Sequence, residues 1–194
     1  MDSIPSSDQA ARTYQSLRTE YWERVASGSV RSRGWGRHYH RRLSEVYRFL
    51  IPPGSRVLEL GCGRGGLLAS VKPSKGVGVD FSPAMVERAR REHPELNFIL
   101  ADVHALEPCG KFDFVILSDL LSELWDIQTV LGRVQEVCEP HTRIILNFYS
   151  RVWEPPLAVA QRWGFATPLL RGNWLTTSDV ANLLNLGDFE VIRG

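Results

Sequence analysis

Three carboxylates, Glu59, Asp80 and Asp102, stand at or just beyond the ends of three short apolar runs. A turn of Gly61-Cys62-Gly63-Arg64-Gly65-Gly66 follows the first of them at once. Glycine lets a backbone bend sharply while a ligand lies against it. Here the turn converts an apolar run, Val57-Leu58-Glu59-Leu60, into a helical pattern, which is where an open α/β sheet receives a nucleoside ligand. The string also satisfies G-x-G-x-x-G, a weak match on its own because such turns recur in many α/β proteins. Glu59 argues against a dinucleotide, whose pyrophosphate would arrive with the same sign of charge. Asp80 suits a ribose diol in either ligand and does not discriminate. Asp102 can accept a hydrogen bond from an adenine amino group. Three carboxylates on one sheet edge suit a ligand that is cationic at one end and rich in donors, not a bis-phosphate.

The elements that must position these groups alternate along the chain. Arg56–Leu60 reads as the first strand and Gly65–Val71 as a short helix. Lys75–Val79 reads as the second strand, and Ser82-Pro83 opens a helix to about Glu92, with serine as cap and proline at the first helical position. Leu96–Leu100 and Phe112–Leu117 are continuously apolar, as strands covered on two faces should be. Ile127, Val130, Leu131, Val134 and Val137 give the next helix its buried stripe. Arg143–Phe148 is a fifth strand, Ser178–Leu186 a helix stopped by Gly187, and Phe189–Ile192 a sixth strand. This alternation predicts an α/β fold, a doubly wound, mostly parallel sheet with helices on both faces. Residues 1–50 form a separate, arginine-rich helical preamble, in which Leu43, Val46, Tyr47 and Leu50 make a docking stripe. Pro52-Pro53-Gly54 divides it from a domain over 51–194.

Composition bounds the function. A formal net charge of +1 exerts no global pull on nucleic acid or anionic lipid. Three cysteines without C-x-x-C spacing speak against a disulfide scaffold or structural zinc and fit a reducing, cytoplasmic setting. No signal-peptide pattern opens the chain, and no apolar run approaches the roughly 20 residues of a membrane span.

Residues 56–148 resemble a class I S-adenosylmethionine-dependent methyltransferase of the small-molecule type. Four motifs in order carry the resemblance: Val57-Leu58-Glu59-Leu60-Gly61-Cys62-Gly63-Arg64-Gly65, Gly76-Val77-Gly78-Val79-Asp80-Phe81-Ser82, Phe98-Ile99-Leu100-Ala101-Asp102-Val103 and Phe112-Asp113-Phe114-Val115-Ile116-Leu117-Ser118. It implies a Rossmann-like methyltransferase fold with S-adenosyl-L-methionine as cofactor. The Gly61, Gly63 and Gly65 backbone would pack on the methionine and ribose, with Glu59 supporting the turn. Asp80, followed by Phe81, would take the ribose hydroxyls, and Asp102 with the Val103 N–H the adenine. Ser118 would offer its backbone to the amino-acid end. The family's sheet ends in an antiparallel seventh strand; here the chain stops after the expected sixth, so the seventh is lacking or truncated, and an exposed edge would favour a homodimer.

An oxygen or nitrogen nucleophile must lose a proton on methylation. Many relatives carry a histidine after the fourth strand, whereas this chain has Ser118-Asp119-Leu120-Leu121-Ser122-Glu123, so Asp119 and Glu123 are the local candidate bases, with His38 and His40 as outsiders. No Asn/Asp-Pro-Pro-aromatic motif and no Pro-Cys nucleophile follows that strand, which argues against methylation of DNA adenine amino groups or cytosine C5. The Asp-Asn pair of catechol-type metal sites is missing after the fifth strand, so no metal is expected. The segment from Arg31 to Arg42 interleaves five arginines with Trp35 and Tyr39. It reads as a nucleic-acid grip, an anion patch, a solvated helix face or a lid hinged at Gly34 and Gly36; the lid is favoured. An aromatic insertion from Val152 to Trp174 fits a substrate wall or a cover for the sheet edge. The resulting expectation is methyl transfer to a small-molecule oxygen or nitrogen. RNA-directed methylation through residues 31–42, and a non-catalytic cofactor-binding domain of a larger protein, are the alternatives.

Overall fold

In the computed structural model, residues 7–26, 35–148 and 173–192 are described. Two helices, α1 (Ser7–Ala26) and α2 (Trp35–Leu50), precede a regular alternation. It runs β1 (Arg56–Leu60), α3 (Gly66–Ser70), β2 (Lys75–Asp80), α4 (Pro83–Glu92), β3 (Asn97–Leu100), β4 (Phe114–Ser118), α5 (Ile127–Val137), β5 (Arg143–Asn147) and α6 (Thr177–Leu186). The five strands pair in parallel in the order β3-β2-β1-β4-β5. From β1 the chain winds outward through β2 and β3, then returns to β4 on the other side of β1. That reversal opens a crevice at the carboxyl ends of β1 and β4.

Strand alternation sorts the core into two layers. Val57, Phe114 and Ile116 face one way and join Tyr47, Ile51, Leu68, Val86 and Phe98 beneath α2, α3 and α4. Leu58, Leu60, Val115 and Leu117 face the other way and join Val130, Leu131, Val134 and Val180 beneath α5 and α6. A fully buried aliphatic side chain of this kind contributes about 1.5–3 kcal/mol by leaving water. Ser82 caps α4 through the Met85 N–H at 3.3 Å, with Pro83 in the first turn, as the Ser-Pro pair predicts.

Three expectations need correction. α2 docks through Leu43 and Tyr47, with Ile51 just past its end continuing the i, i+4 ridge against α3; Val46 and Leu50 point outward, 53% and 43% exposed. The third strand is an edge, paired only with β2, and its cover is incomplete: Phe98 is buried in one layer and Ile99 partly in the other, while Leu100 is half-exposed. Residues 189–192 form no strand. Phe189 folds back on the α5–α6 core, but Val191 and Ile192 find no neighbouring ladder and remain exposed. No helix among the described residues is long and apolar enough to cross a membrane.

Candidate active site

The glycine turn is held by its own backbone and by one carboxylate from the next strand. Gly61 N–H and Cys62 N–H both donate to the Val79 carbonyl, at 2.8 and 3.0 Å. Asp80, at the end of β2, accepts from Gly63 N–H at 2.8 Å with one oxygen and from Ser82 N–H at 2.9 Å with the other. Burial raises Asp80 above the ordinary aspartate range, and those backbone donors oppose the rise. One side chain thus ties the turn after β1 to the start of α4.

Glu59 lies below the turn. Its carboxylate is buried and accepts from Leu68 N–H at 2.9 Å, so it satisfies an orphan donor in the first turn of α3. It is pushed up to about 8, chiefly by burial; the Leu68 N–H opposes the rise and the Asp80 charge adds to it. Gly65 answers to packing: a Cβ there would sit 2.5 Å from the Phe98 ring, at a φ of +75°. Gly63, at +52°, faces open space.

A cavity of about 320 Å³ lies at the sheet's carboxyl edge. Gly61, Asp80, Phe81, Asp102 and Val103 line its floor, Leu120 and Glu123 one wall, and Tyr14, Gln15 and Arg18 of α1 its roof. Of the residues expected to bind a cofactor, Gly61, Asp80, Phe81, Asp102 and Val103 meet in this cavity. Glu59, Gly63 and Gly65 support it from the turn, and Ser118 ends β4 beside it.

Asp102 carries the most contacts there. Oδ1 accepts from His104 N–H at 2.9 Å and meets His104 Nδ1 at 2.7 Å, while Oδ2 accepts from Gln15 Nε2 at 2.5 Å. Because His104 Nε2 accepts from Asp126 N–H at 3.2 Å, the proton belongs on Nδ1 and is donated to Asp102. The His104 contact is the main reason that Asp102 lies below the ordinary aspartate range. His104 thus braces Asp102 against the start of α5.

The two candidate bases differ in their surroundings. Glu123 is ion-paired with the buried guanidinium of Arg18, which also stacks 4.3 Å over the Tyr14 ring. Asp119, with a left-handed φ of +54°, accepts from Tyr39 Oη at 2.8 and 3.0 Å and from Asn147 Nδ2 at 2.6 Å. Burial holds it above the ordinary aspartate range; Tyr39, His40 and Asn147 oppose that in decreasing order. Sequence reading missed Tyr39 as a partner of Asp119 and Tyr47 as a partner of Asn147, because these contacts span 80 and 100 residues. Gly34 and the side chain of Trp35, part of the expected lid hinge, lie outside the described residues, and Gly36 is inside α2. So does most of the aromatic insertion; Asn173 and Trp174, at its end, border an open depression shared with Trp125.

Residues 57–141 match the model of the methyltransferase domain family. The matched segment makes this part of the chain similar to methyltransferase domains. The chain is 30% identical over 141 residues to the malonyl-[acyl-carrier protein] O-methyltransferase of Halorhodospira halophila, an alignment covering 69% of this chain and 43% of that one. It is 33% identical over 102 residues to a trans-aconitate 2-methyltransferase of Methylobacterium radiotolerans, covering 50% of this chain and 39% of the relative. The chain spans less than half the length of these curated relatives. Among solved structures, the magnesium protoporphyrin IX methyltransferase of Synechocystis PCC 6803, crystallised with bound SAM, superposes with a TM-score of 0.67 at 19% identity, covering all of this chain and 91% of that one. At that identity the likeness concerns the fold.

Proposed function

We propose that this chain binds S-adenosylmethionine in the cavity over the glycine turn and transfers its methyl group to an oxygen or nitrogen of a small molecule. The observation that carries the reading is the convergence of two buried or half-buried carboxylates, Asp80 and Asp102, on one cavity beside an unobstructed Gly63. The donor set fits the ligand. Each Asp80 oxygen keeps a lone pair beyond its backbone donor, as two ribose hydroxyls require. Asp102 Oδ2 lacks a backbone partner and takes an amide N–H from Gln15, the kind of donor that an adenine amino group is. Phe81, Val103 and Leu120 supply apolar walls.

When bound, the cofactor supplies an activated methyl group, so the hard chemistry is its own. The chain must orient the acceptor, exclude water and take a proton. Roofing by α1, through Tyr14, Gln15 and Arg18, supports assigning residues 1–50 a covering role. Asp119 is the better proton acceptor of the two candidates, because Glu123 is already committed to Arg18. Relatives named for a carboxyl-bearing carrier and for trans-aconitate support a small-molecule or carrier-borne acceptor. The test is release of S-adenosylhomocysteine from S-adenosylmethionine on addition of a pooled small-molecule extract. Release above the cofactor-only background supports the reading; release only with added RNA would replace it.

A further inference from the structure

Resting on the methyl-transfer reading, we propose that Tyr39, Tyr47 and Asn147 are positioning residues that hold Asp119 as the proton acceptor for the methyl-accepting group. On this account α2 is part of the catalytic machinery as well as a cover.

Ser118 pairs with Asn147 across β4 and β5, and β4 lies beside β1, with Leu117 opposite Leu60. Asp119 therefore emerges at the sheet's carboxyl edge next to the glycine turn, and the side chain of Leu120 packs on Gly61. The Asp119 N–H donates to the Asn147 carbonyl at 3.0 Å, fixing the backbone at a left-handed φ that is unfavourable for a non-glycine residue. Strain held in this way by its surroundings is concentrated at functional positions.

Next comes the order of donors. Tyr47 Oη donates to Asn147 Oδ1 at 2.7 Å, so the Asn147 amide cannot flip without losing that bond. Its Nδ2 must then face Asp119 Oδ1, which it does at 2.6 Å, with a longer contact of 3.1 Å to Tyr39 Oη. Tyr39 donates to the same carboxylate from one face of α2, and Tyr47, eight residues on, fixes the amide from a neighbouring position on that helix. A carboxylate offers about four acceptor sites. Asn147 and the shorter Tyr39 contact fall on Oδ1, while Oδ2 meets only Tyr39 Oη at 3.0 Å and so keeps capacity for a substrate proton.

The third element is charge. Arg56 clamps Asp113 and Arg18 clamps Glu123, but among the described residues no ion pair reaches Asp119. Three neutral groups orient it instead. Orientation without a fixed cation preserves basicity, which a proton acceptor needs and a purely structural anion does not. In the step itself, the acceptor's O–H or N–H proton passes to Asp119 Oδ2. Its electron pair forms the bond to the methyl carbon, while the carbon–sulfur pair stays on a now neutral sulfur. His40 on α2 and Glu59 at the end of β1 are the other ionisable groups within electrostatic reach of the set.

The test uses the full chain with 13C-carboxyl-labelled aspartate, following the Asp119 resonance through a pH titration in wild type, Tyr39→Phe and Tyr47→Phe. Loss of the Tyr39 donor raises the Asp119 midpoint by about half a pH unit or more. Tyr47→Phe raises it too, although Tyr47 does not touch Asp119, because the freed amide can turn its oxygen toward the carboxylate. Release of S-adenosylhomocysteine with the pooled extract falls about 100-fold in Asp119→Asn, the low end of general-base effects, and less, about tenfold, in each tyrosine variant, where the base is misplaced but present. Its acid limb moves to higher pH in both tyrosine variants, while S-adenosylhomocysteine affinity is retained. A midpoint unchanged in Tyr47→Phe, or full turnover in Asp119→Asn, would overturn the proposal. Wild-type protein that binds no S-adenosylhomocysteine would instead overturn the methyl-transfer reading, whatever Asp119 does.

Discussion

Replacing Gly65 by alanine places a new Cβ 2.5 Å from Phe98 Cζ, 2.7 Å from Cε1 and 3.4 Å from His93 Cδ2, at a φ of +75°. The left-handed backbone costs alanine about 1–2 kcal/mol. Overpacking a close-packed site adds about 1–3 kcal/mol, giving a loss of about 2–5 kcal/mol. The Phe98 ring cannot swing clear, because it is also wedged against Gly78, where a Cβ would meet it at 2.7 Å. Gly63→Ala provides the contrast: at +52° it has the same backbone conflict but no atom within 4 Å. Only the backbone cost of about 1–2 kcal/mol remains. Urea unfolding with unchanged m-values should therefore rank Gly65→Ala below Gly63→Ala by about 1–3 kcal/mol. Calorimetric titration with S-adenosylhomocysteine should reverse the ranking, since the proposed reading lays the ligand over the Gly63 backbone. Equal stability losses would refute the assignment of Gly65 to packing, and undiminished affinity in Gly63→Ala would refute the assignment of Gly63 to the ligand.

Further outcomes follow from the charged groups. Glu123→Gln leaves the Arg18 guanidinium buried without its counter-charge, and breaking fully buried pairs costs about 3–5 kcal/mol. Partial exposure of Glu123 reduces this to roughly 2–3 kcal/mol of α1 docking, visible as faster proteolysis within α1; a variant that keeps α1 protected but loses all turnover would return Glu123 to the role of base. Arg56 is the main cause holding Asp113 at about 2, below its ordinary 3.8. A depressed carboxylate contributes stability that is present above 3.8 and lost as pH falls through about 2. Asp113→Asn should flatten the acid-unfolding limb over that window, and an unaltered limb would show that the Arg56 cluster adds nothing to folding.

Much of this molecule is legible in the chain because its signals are local. Ser82-Pro83 names its helix start, and the apolar run before Gly61 names β1 to the residue. The spacing of Glu59, Asp80 and Asp102 places three acids on one edge, though only contact with Leu68 shows that Glu59 caps α3 beneath the cavity. Other features depend on what the chain meets in space. Phe189–Ile192 has strand composition but no partner, and strand formation requires a ladder. His104 gains its role from Asp126, 22 residues away, and Asp119 from Tyr39, 80 residues away. Periodicity on α2 gives a stripe, but which ridge docks is decided by α3, so Tyr47 is buried while Val46 is not.

The most direct test of the account is calorimetric titration of the full chain with S-adenosylhomocysteine, wild type against Asp80→Asn. The account predicts one-to-one binding by wild type. Neutralising the acid should weaken it about 10- to 100-fold, matching the roughly 1.5–3 kcal/mol of hydrogen bonds to a charged group. Absence of binding by wild type, or equal affinity in a folded Asp80→Asn variant, would contradict a cofactor site at the glycine turn.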